Sequence, residues 1–337
     1  MSKSQIEFYN PNKLLSLNKL FNFIVGGRGI GKTYAFKKRG ILKFLKTGEQ
    51  FVFIRRFRDE NDQARLSFFK DLITDPDFAN ISFDTQKNYF YVNNKIAGFS
   101  YPLSTSYHLK SVAFPDVTSI IFDEFIPLNM RYLSNEPAKF LELTYTICRL
   151  RDVKVFFLAN AVTIANPYFQ YFKIIPNIGS EFTKFDDMVI QMCKNSTSFN
   201  NAVNASRFGK IISNTDYGEY SIQNNFFLDS NSFIIKRPTS NLDYICSIIL
   251  NSINVAFWLD SKNSFVYADY LVDKKFIWQF TFDPLEQNAN IILLKNLADF
   301  SCTSVIAKAL ARGRCFFKDQ FIKSAVLNCL SPKSFVF

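Results

Sequence analysis

The chain has 337 residues, 48% hydrophobic and 20% charged, the balance of a globular protein long enough for two domains. A formal net charge of +11 suits a polyanionic partner, and the six cysteines (Cys148, Cys193, Cys246, Cys302, Cys315 and Cys329) form no C-x-x-C pair, so neither zinc nor a disulfide framework is indicated and a reduced cytosolic setting is expected. With His108 the only histidine, Ser-His-Asp, Cys-His and histidine-rich metal chemistry are excluded. The polar N-terminus is no signal segment, and charge breaks every apolar run before it reaches membrane-spanning length.

In chain order, Asn10-Pro11 marks a turn before the first strand, and Tyr9 is placed either to stack on an adenine or to seal a sheet edge. The apolar run from Phe21 leads into Gly26, Gly27, Arg28, Gly29, Ile30, Gly31, Lys32 and Thr33, then into helix-compatible Tyr34–Lys38. This is the strand, glycine-rich loop and helix start of a nucleoside triphosphate site. The glycines let backbone N–H groups approach phosphate, the lysine reaches the β- and γ-phosphates, and the hydroxyl serves Mg²⁺.

A second buried strand, Gln50–Ile54, delivers Arg55, Arg56 and Arg58 to its C-terminal end, where an open α/β sheet binds ligands, so these arginines are expected near phosphate or a neighbouring surface. Ala64, Phe68, Phe69 and Leu72 predict a helix ending at Asp75-Pro76. Ile81–Phe83, Tyr89–Val92 and Lys95–Ala97 read as short antiparallel strands, with Asn93-Asn94 the turn. Ser104–Ser111 reads as a loop whose Tyr107, His108 and Lys110 either face solvent or touch a nucleic-acid backbone.

Ninety residues after Thr33, the apolar run Ser119–Phe122 ends in Asp123 and Glu124. Asp123 can serve nucleotide-bound Mg²⁺ and Glu124 can orient or deprotonate water. A helix from Pro137, with Phe140, Leu143 and Ile147 on one face, delivers Arg149-Leu150-Arg151, and the strand from Val153 to Leu158 ends in Ala159 and Asn160, a side chain suited to sensing the γ-phosphate. Phosphate loop, intervening strand, acid strand and polar-ended strand follow the order of the additional-strand class of P-loop ATPases. The fold class is therefore α/β, with a mostly parallel central sheet over residues 1–195. An Asn/Ser-rich linker, 196–228, follows, with Phe199, Phe208, Ile211 and Ile212 able to pack and Asp216–Gly218 and Gln223–Asn225 among its polar stretches. A small α+β domain, 229–337, takes strands Ile245–Leu250, Val255–Leu259 and Ser264–Ala268, a turn at Asp260–Asn263, and helices at Thr303–Arg312 and Phe321–Leu330.

Phe8–Pro11, Gly26–Thr33, Gly48–Phe51 with Arg55 and Arg56, Ile121–Phe125, Asn160–Val162 with Asn166–Phe169, Arg207–Gly209 and Tyr217–Glu219 resemble the DNA-packaging motor ATPase of phi-29-like phages, of the FtsK/HerA-like class. The resemblance implies hydrolysis of ATP with Mg²⁺, double-stranded DNA threading a homopentameric ring, ATP sites at subunit interfaces, and a portal or connector as partner, with packaging RNA as a further one. It implies action in the host cytoplasm, transiently on the procapsid portal vertex and not in the mature virion, and no membrane. By it Arg149 is the arginine finger acting on a neighbour's nucleotide, with Arg151 the fallback and a helix-end charge the alternative, and Arg58 a second basic residue inserted in trans. The C-terminal domain resembles a reduced RNase-H-like nuclease. Its strand Ile245–Leu250 offers no carboxylate, and Asp260, Asp269 and Asp273 are expected at turns or past strand ends, so no nuclease activity is expected. Arg312, Arg314, Lys318 and Lys323 read as an RNA, DNA or connector surface, or as a solvated helix face. The alternative function is a P-loop switch or scaffold that binds RNA or a partner protein without moving DNA.

Overall fold

The apolar runs singled out above become interior strands of one sheet, as strands buried on both faces must. The computed structural model describes residues 6–110, 112–177, 179–213, 215, 218, 229, 232–250, 253–271 and 278–330. They fall into two units, one within Met1–Thr163 and Ile175–Leu228, the other within Ile164–Ile174 and Asp229–Phe337. Ser111, Asp216, Tyr217, Glu219, Gln223–Asn225 and Asp273 lie outside the described residues.

In chain order the first unit runs α1 (Asn12–Ser16), β1 (Phe21–Gly26), α2 (Lys32–Thr47), β2 (Gln50–Arg55), α3 (Arg58–Leu66), β3 (Phe83–Gln86), β4 (Tyr89–Val92) and β5 (Lys95–Pro102). Then come β6 (Val117–Asp123), α4 (Glu136–Cys148) and β7 (Lys154–Asn160). After α5 (Pro167–Phe172), which belongs to the second unit, follow β8 (Phe182–Lys184), β9 (Met188–Cys193), α6 (Thr197–Ala205) and α7 (Arg207–Ile212). The sheet order is β3-β4-β5-β2-β6-β7-β1-β9-β8. Strands β5 through β9 in that order are parallel, and antiparallel strands finish both edges. Strand β7 stands between β1 and β6, so an added strand separates the phosphate-loop strand from the acid strand.

Phenylalanines fill both faces. Phe36 of α2 packs on Phe156 at 4.5 Å, while Phe140 of α4 packs on Phe122 at 5.2 Å and Phe157 at 4.8 Å. Five local differences from the sequence reading appear. Helix α1 follows Pro11, so the Asn10-Pro11 turn does not lead directly into β1. Helix α3 stops at Leu66, beyond which bonding shifts to i→i−3 turns (Phe68 N–H to Arg65 O, Lys70 N–H to Ser67 O), and Phe68, Phe69 and Leu72 are buried from those turns. The first hairpin strand is Phe83–Gln86 rather than Ile81–Phe83, while Asn93 and Asn94 turn into β5 with φ of 49° and 59°. Residues Leu103–Leu109 form two short 3-10 turns that meet at a kink at Thr105 (φ −120°, ψ 15°), anchored by buried Leu103 and Leu109. Of the four apolar residues placed in the linker, Ile212 is buried, whereas Phe208 and Ile211 are exposed.

The second unit has β10 (Asp243–Leu250), β11 (Ile253–Asp260), β12 (Phe265–Tyr270), β13 (Gln279–Thr281), β14 (Ile291–Leu293), α8 (Ser301–Ala311), β15 (Cys315–Phe317) and α9 (Gln320–Leu330). Its sheet order is β14-β13-β10-β11-β12-β15. The β10–β12 meander is antiparallel and the three short strands add in parallel, making a mixed six-stranded sheet. Ile248, Val255, Phe257, Ile306 and Val326 are among its core residues. Among the described residues no helix is long and apolar enough to cross a membrane.

Candidate active site

Parallel register brings three strand ends to one edge: Gly26 pairs with Asn160, and Asp123 with Leu158. Gly31, at φ +94°, takes a left-handed conformation that caps α2 and that a side chain would strain. At Gly26 a Cβ would lie 2.5 Å from Cys193 Cβ on β9, so the loop needs glycine there for close packing. Lys32 is 6% exposed, and its Nζ donates to Gly26 O at 3.0 Å, Gly27 O at 2.6 Å and Asn160 Oδ1 at 3.2 Å. Thr33 Oγ1 donates to Asp123 Oδ1 at 2.8 Å. These side chains and Glu124 line a cavity of about 220 Å³.

Burial lowers the Lys32 pKa to about 8, with Cys193 and Asp123 pulling the other way. The folded value lies below the ordinary 10.5, so the folded chain binds fewer protons than the unfolded one between those pH values, and nucleotide-free stability rises with pH across that window. A phosphate beside Nζ restores the charged form. ATP affinity is therefore expected to be level below about pH 8 and to weaken above it, by up to about tenfold per pH unit. Calorimetry in buffers of different ionisation enthalpy should show proton uptake on binding at pH 9, and equal affinity at pH 7 and pH 9.5 would refute the assignment.

Burial pushes the Asp123 carboxyl up, and the Arg55 guanidinium, 3.6 Å away, opposes it. Arg55 also pairs with Glu124 at 2.6 Å, and Glu124 itself is half exposed at φ 60°. Arg55 thus spans both acids, a role that its place at a strand end suggested only as nearness to phosphate. Arg56 corrects that expectation. It is 1% exposed, grips Glu136 through two hydrogen bonds of 2.7 and 2.9 Å, and donates to Glu124 O and Phe125 O. Its guanidinium also lies over the Phe122 and Tyr132 rings. Arg56 therefore fixes the backbone just past Asp123 and faces neither phosphate nor a neighbour.

Tyr9 is fastened to the sheet. Its N–H donates to Ile30 O, its hydroxyl donates to Gln191 Oε1 at 2.8 Å, and its ring leans on Phe36. Burial raises its phenol pKa, reinforced by Cys193 and Glu181. Phe8, which no motif singled out on its own, is 55% exposed, lies over Gly31 and meets Phe199 edge-on. A second cavity of about 440 Å³, beside the phosphate loop, is lined by Phe8, Tyr9, Ile30, Gln191 and Cys193. Strand β9, unread in the sequence, supplies two of those residues.

Arg149 ends α4 with φ 50° and ψ −108°, and its side chain is exposed. Arg151 is committed elsewhere. Its guanidinium donates to the carbonyls of Phe114, Pro115, Val117 and Ile147 at 2.6–2.8 Å, which removes it as a fallback finger. Arg58, 78% exposed at the start of α3, lies 4.0 Å from Asp62.

Tyr107 and His108 are exposed with rings 3.9 Å apart, and Lys110 sits 3.8 Å from Glu142 of α4. In the second unit Arg312 is exposed, but Arg314 donates to Asn263 O and Ser264 O, Lys318 pairs with Asp269 at 3.0 Å, and Lys323 donates to Ser232 O. The basic end is therefore largely engaged within its own unit. Asp269 lies inside β12, 2% exposed between Arg237 and Lys318, rather than at a turn or past a strand end. Asp260 accepts from Ser240 and Asn263.

A family model described as podovirus DNA encapsidation protein (Gp16) matches residues 1–333. The chain is 36% identical over 323 residues to the DNA packaging protein of Bacillus phage phi29, covering 94% of this chain and 95% of that one. It is 34% identical over 316 residues to the DNA packaging protein of Bacillus phage B103, covering 92% and 96%. Among solved structures it resembles a chain of the bacteriophage phi29 viral genome packaging motor assembly, with TM-score 0.78 and 33% identity over 96% of this chain and 98% of that one. It also resembles the N-terminal domain of the DNA packaging ATPase from bacteriophage phi29, with TM-score 0.53 and 38% identity over 56% of this chain and 98% of that one. Matched over nearly its whole length, the chain belongs to the podovirus DNA encapsidation protein (Gp16) family.

Proposed function

We propose that the chain is an ATP-hydrolysing motor that translocates double-stranded DNA into a procapsid, working as a homo-oligomeric ring, pentameric by family resemblance, with each ATP site completed by a neighbour. One observation carries this reading: Lys32, Thr33, Asp123, Glu124 and Asn160 line one cavity, while Arg149 lies beyond the opposite end of the same strands. Strand β7 alone, seven residues at about 3.3 Å each, separates those edges by about 20 Å. Arg149 therefore cannot reach its own chain's nucleotide, and its use in catalysis requires a second chain.

Three oxygens now accepting from Lys32 occupy places that phosphate oxygens would take. Thr33 Oγ1 and the Asp123 carboxylate form a hard-oxygen pair fitted to hold Mg²⁺, directly or through its waters. Mg²⁺ held there would neutralise charge on the β- and γ-phosphates. Asn160 is placed to donate its amide to the γ-phosphate, and Glu124 to accept a proton from the attacking water. Its carboxylate must first leave Arg55, for which phosphate is a competing anion. Hydrolysis belongs to the first unit, since Asp260 and Asp269 in the second are tied to separate partners. The portal, and a packaging RNA where one is used, are the assembly partners.

The test is ATP turnover with double-stranded DNA or RNA added. DNA stimulation that falls steeply with salt is expected. Turnover indifferent to DNA but raised by RNA would favour a switch or scaffold instead.

A further inference from the structure

We propose that Arg151 is a positioning residue for Arg149, an inference that rests on Arg149 acting at a neighbour's site. The connection from α4 to β7 opens with a four-residue turn, Cys148–Arg151, closed by Arg151 N–H to Cys148 O at 2.9 Å. Within it Arg149 takes φ 50° and ψ −108°, a conformation that a non-glycine residue keeps only where its surroundings over-determine it. Its N–H is already used on Tyr145 O at 2.8 Å, so the helix end holds one side of the turn.

The Arg151 guanidinium holds the other side. Nη2 donates to Ile147 O at 2.7 Å, in the last turn of α4, and to Phe114 O at 2.6 Å. Nη1 donates to Pro115 O at 2.8 Å and Val117 O at 2.7 Å, the latter at the start of β6. One planar cation thus ties the turn to the helix before it and to the segment entering the acid strand. Hydrogen bonds from a charged donor are stronger than neutral ones, and the rigid fork of arginine serves four carbonyls where a lysine would serve fewer. Leu150, between the two arginines, is 97% exposed and contributes no packing that could hold the turn instead. Without Arg151 the strained Arg149 backbone relaxes, and the exposed guanidinium samples positions other than the one reaching across the interface.

Arg151→Gln and Arg151→Ala in the full chain are expected to lower DNA-stimulated kcat at least tenfold while leaving the KM for ATP close to the original. Arg151→Lys should recover part of the loss. Mixing separates positioning from general damage. An Arg151→Gln chain keeps its own Lys32, Asp123 and Glu124, so mixing it with Glu124→Gln chains, which keep a sound finger turn, should restore turnover. Mixing it with Arg149→Ala chains should not, because neither supplies a placed finger. Unchanged kcat in Arg151→Gln would overturn the proposal. So would a silent mixture with Glu124→Gln when the parallel mixture of Arg149→Ala with Glu124→Gln recovers, since the defect would then lie in the variant's own site. If both mixtures stay silent, Arg149 does not act in trans, and the assignment of Arg151 fails with it.

Discussion

Replacing Arg149 with alanine is expected to lower ATP turnover of the assembled protein by about 10³–10⁵-fold, the effect of an arginine supplied across an interface to a transferring phosphoryl group. ATP affinity should change little, because Arg149 is exposed at the sheet edge remote from its own phosphate loop. The competing account makes Arg149 a cation favoured by the dipole at the end of α4. That interaction is worth about 0.3–1 kcal/mol of helix stability and nothing in turnover. Single-turnover hydrolysis and nucleotide binding, measured together, separate the two: a full loss of kcat with unaltered binding assigns Arg149 to chemistry, whereas a small fall in melting temperature with normal kcat assigns it to the helix. In equal mixtures with Glu124→Gln chains, about a quarter of head-to-tail interfaces pair an intact acid with an intact arginine, so partial recovery is expected.

What was legible in the sequence follows from burial. Strands β1, β2, β6 and β7 lie inside a parallel sheet and read as mostly apolar runs, so their polar ends stood out: the phosphate loop, Arg55, Asp123 and Asn160. Strands β8, β13, β14 and β15 are three residues each, too short to show any period, whereas β9 is an apolar run interrupted only by Gln191, a signal that the sequence reading passed over. Adjacent arginines were the harder case. Arg55 and Arg56 are equivalent in local sequence, yet Arg55 is the last residue of β2 and Arg56 lies in the bend just beyond it, and the fold sends one to Asp123 and Glu124 and the other to Glu136, eighty residues away. Arg149 and Arg151 part company because a left-handed turn lies between helix and strand, which no spacing rule announces. The basic residues of the C-terminal unit were ambiguous for a related reason: charge counts cannot tell a solvated lysine from one whose carboxylate partner, such as Asp269 for Lys318, sits on another strand.

Glu124→Gln is the second large effect, with an expected fall in kcat of about 10²–10⁴-fold, the usual contribution of a positioned general base. Glutamine keeps the size of the side chain and cannot take a proton, so nucleotide binding should persist and hydrolysis should not. The structure adds a second consequence. Arg55 Nη1 lies 2.6 Å from the Glu124 carboxylate and Arg55 Nε 3.6 Å from Asp123, so neutralising Glu124 removes the nearer of its two ion-pair partners. A half-released guanidinium at the mouth of the phosphate cavity favours an anion, and ATP should bind Glu124→Gln at least as tightly as the original chain. A kcat within threefold of the original would take the base role from Glu124, and weaker ATP binding would refute the release of Arg55 toward the anion. Asp123→Asn supplies the contrast: its amide oxygen can still accept from the Thr33 hydroxyl, but the negative charge is gone, so the loss should appear first as a higher Mg²⁺ concentration needed for half-maximal turnover. A variant pair that separates in this way, one losing turnover with binding kept and the other losing its response to the metal, divides the two neighbouring acids by role.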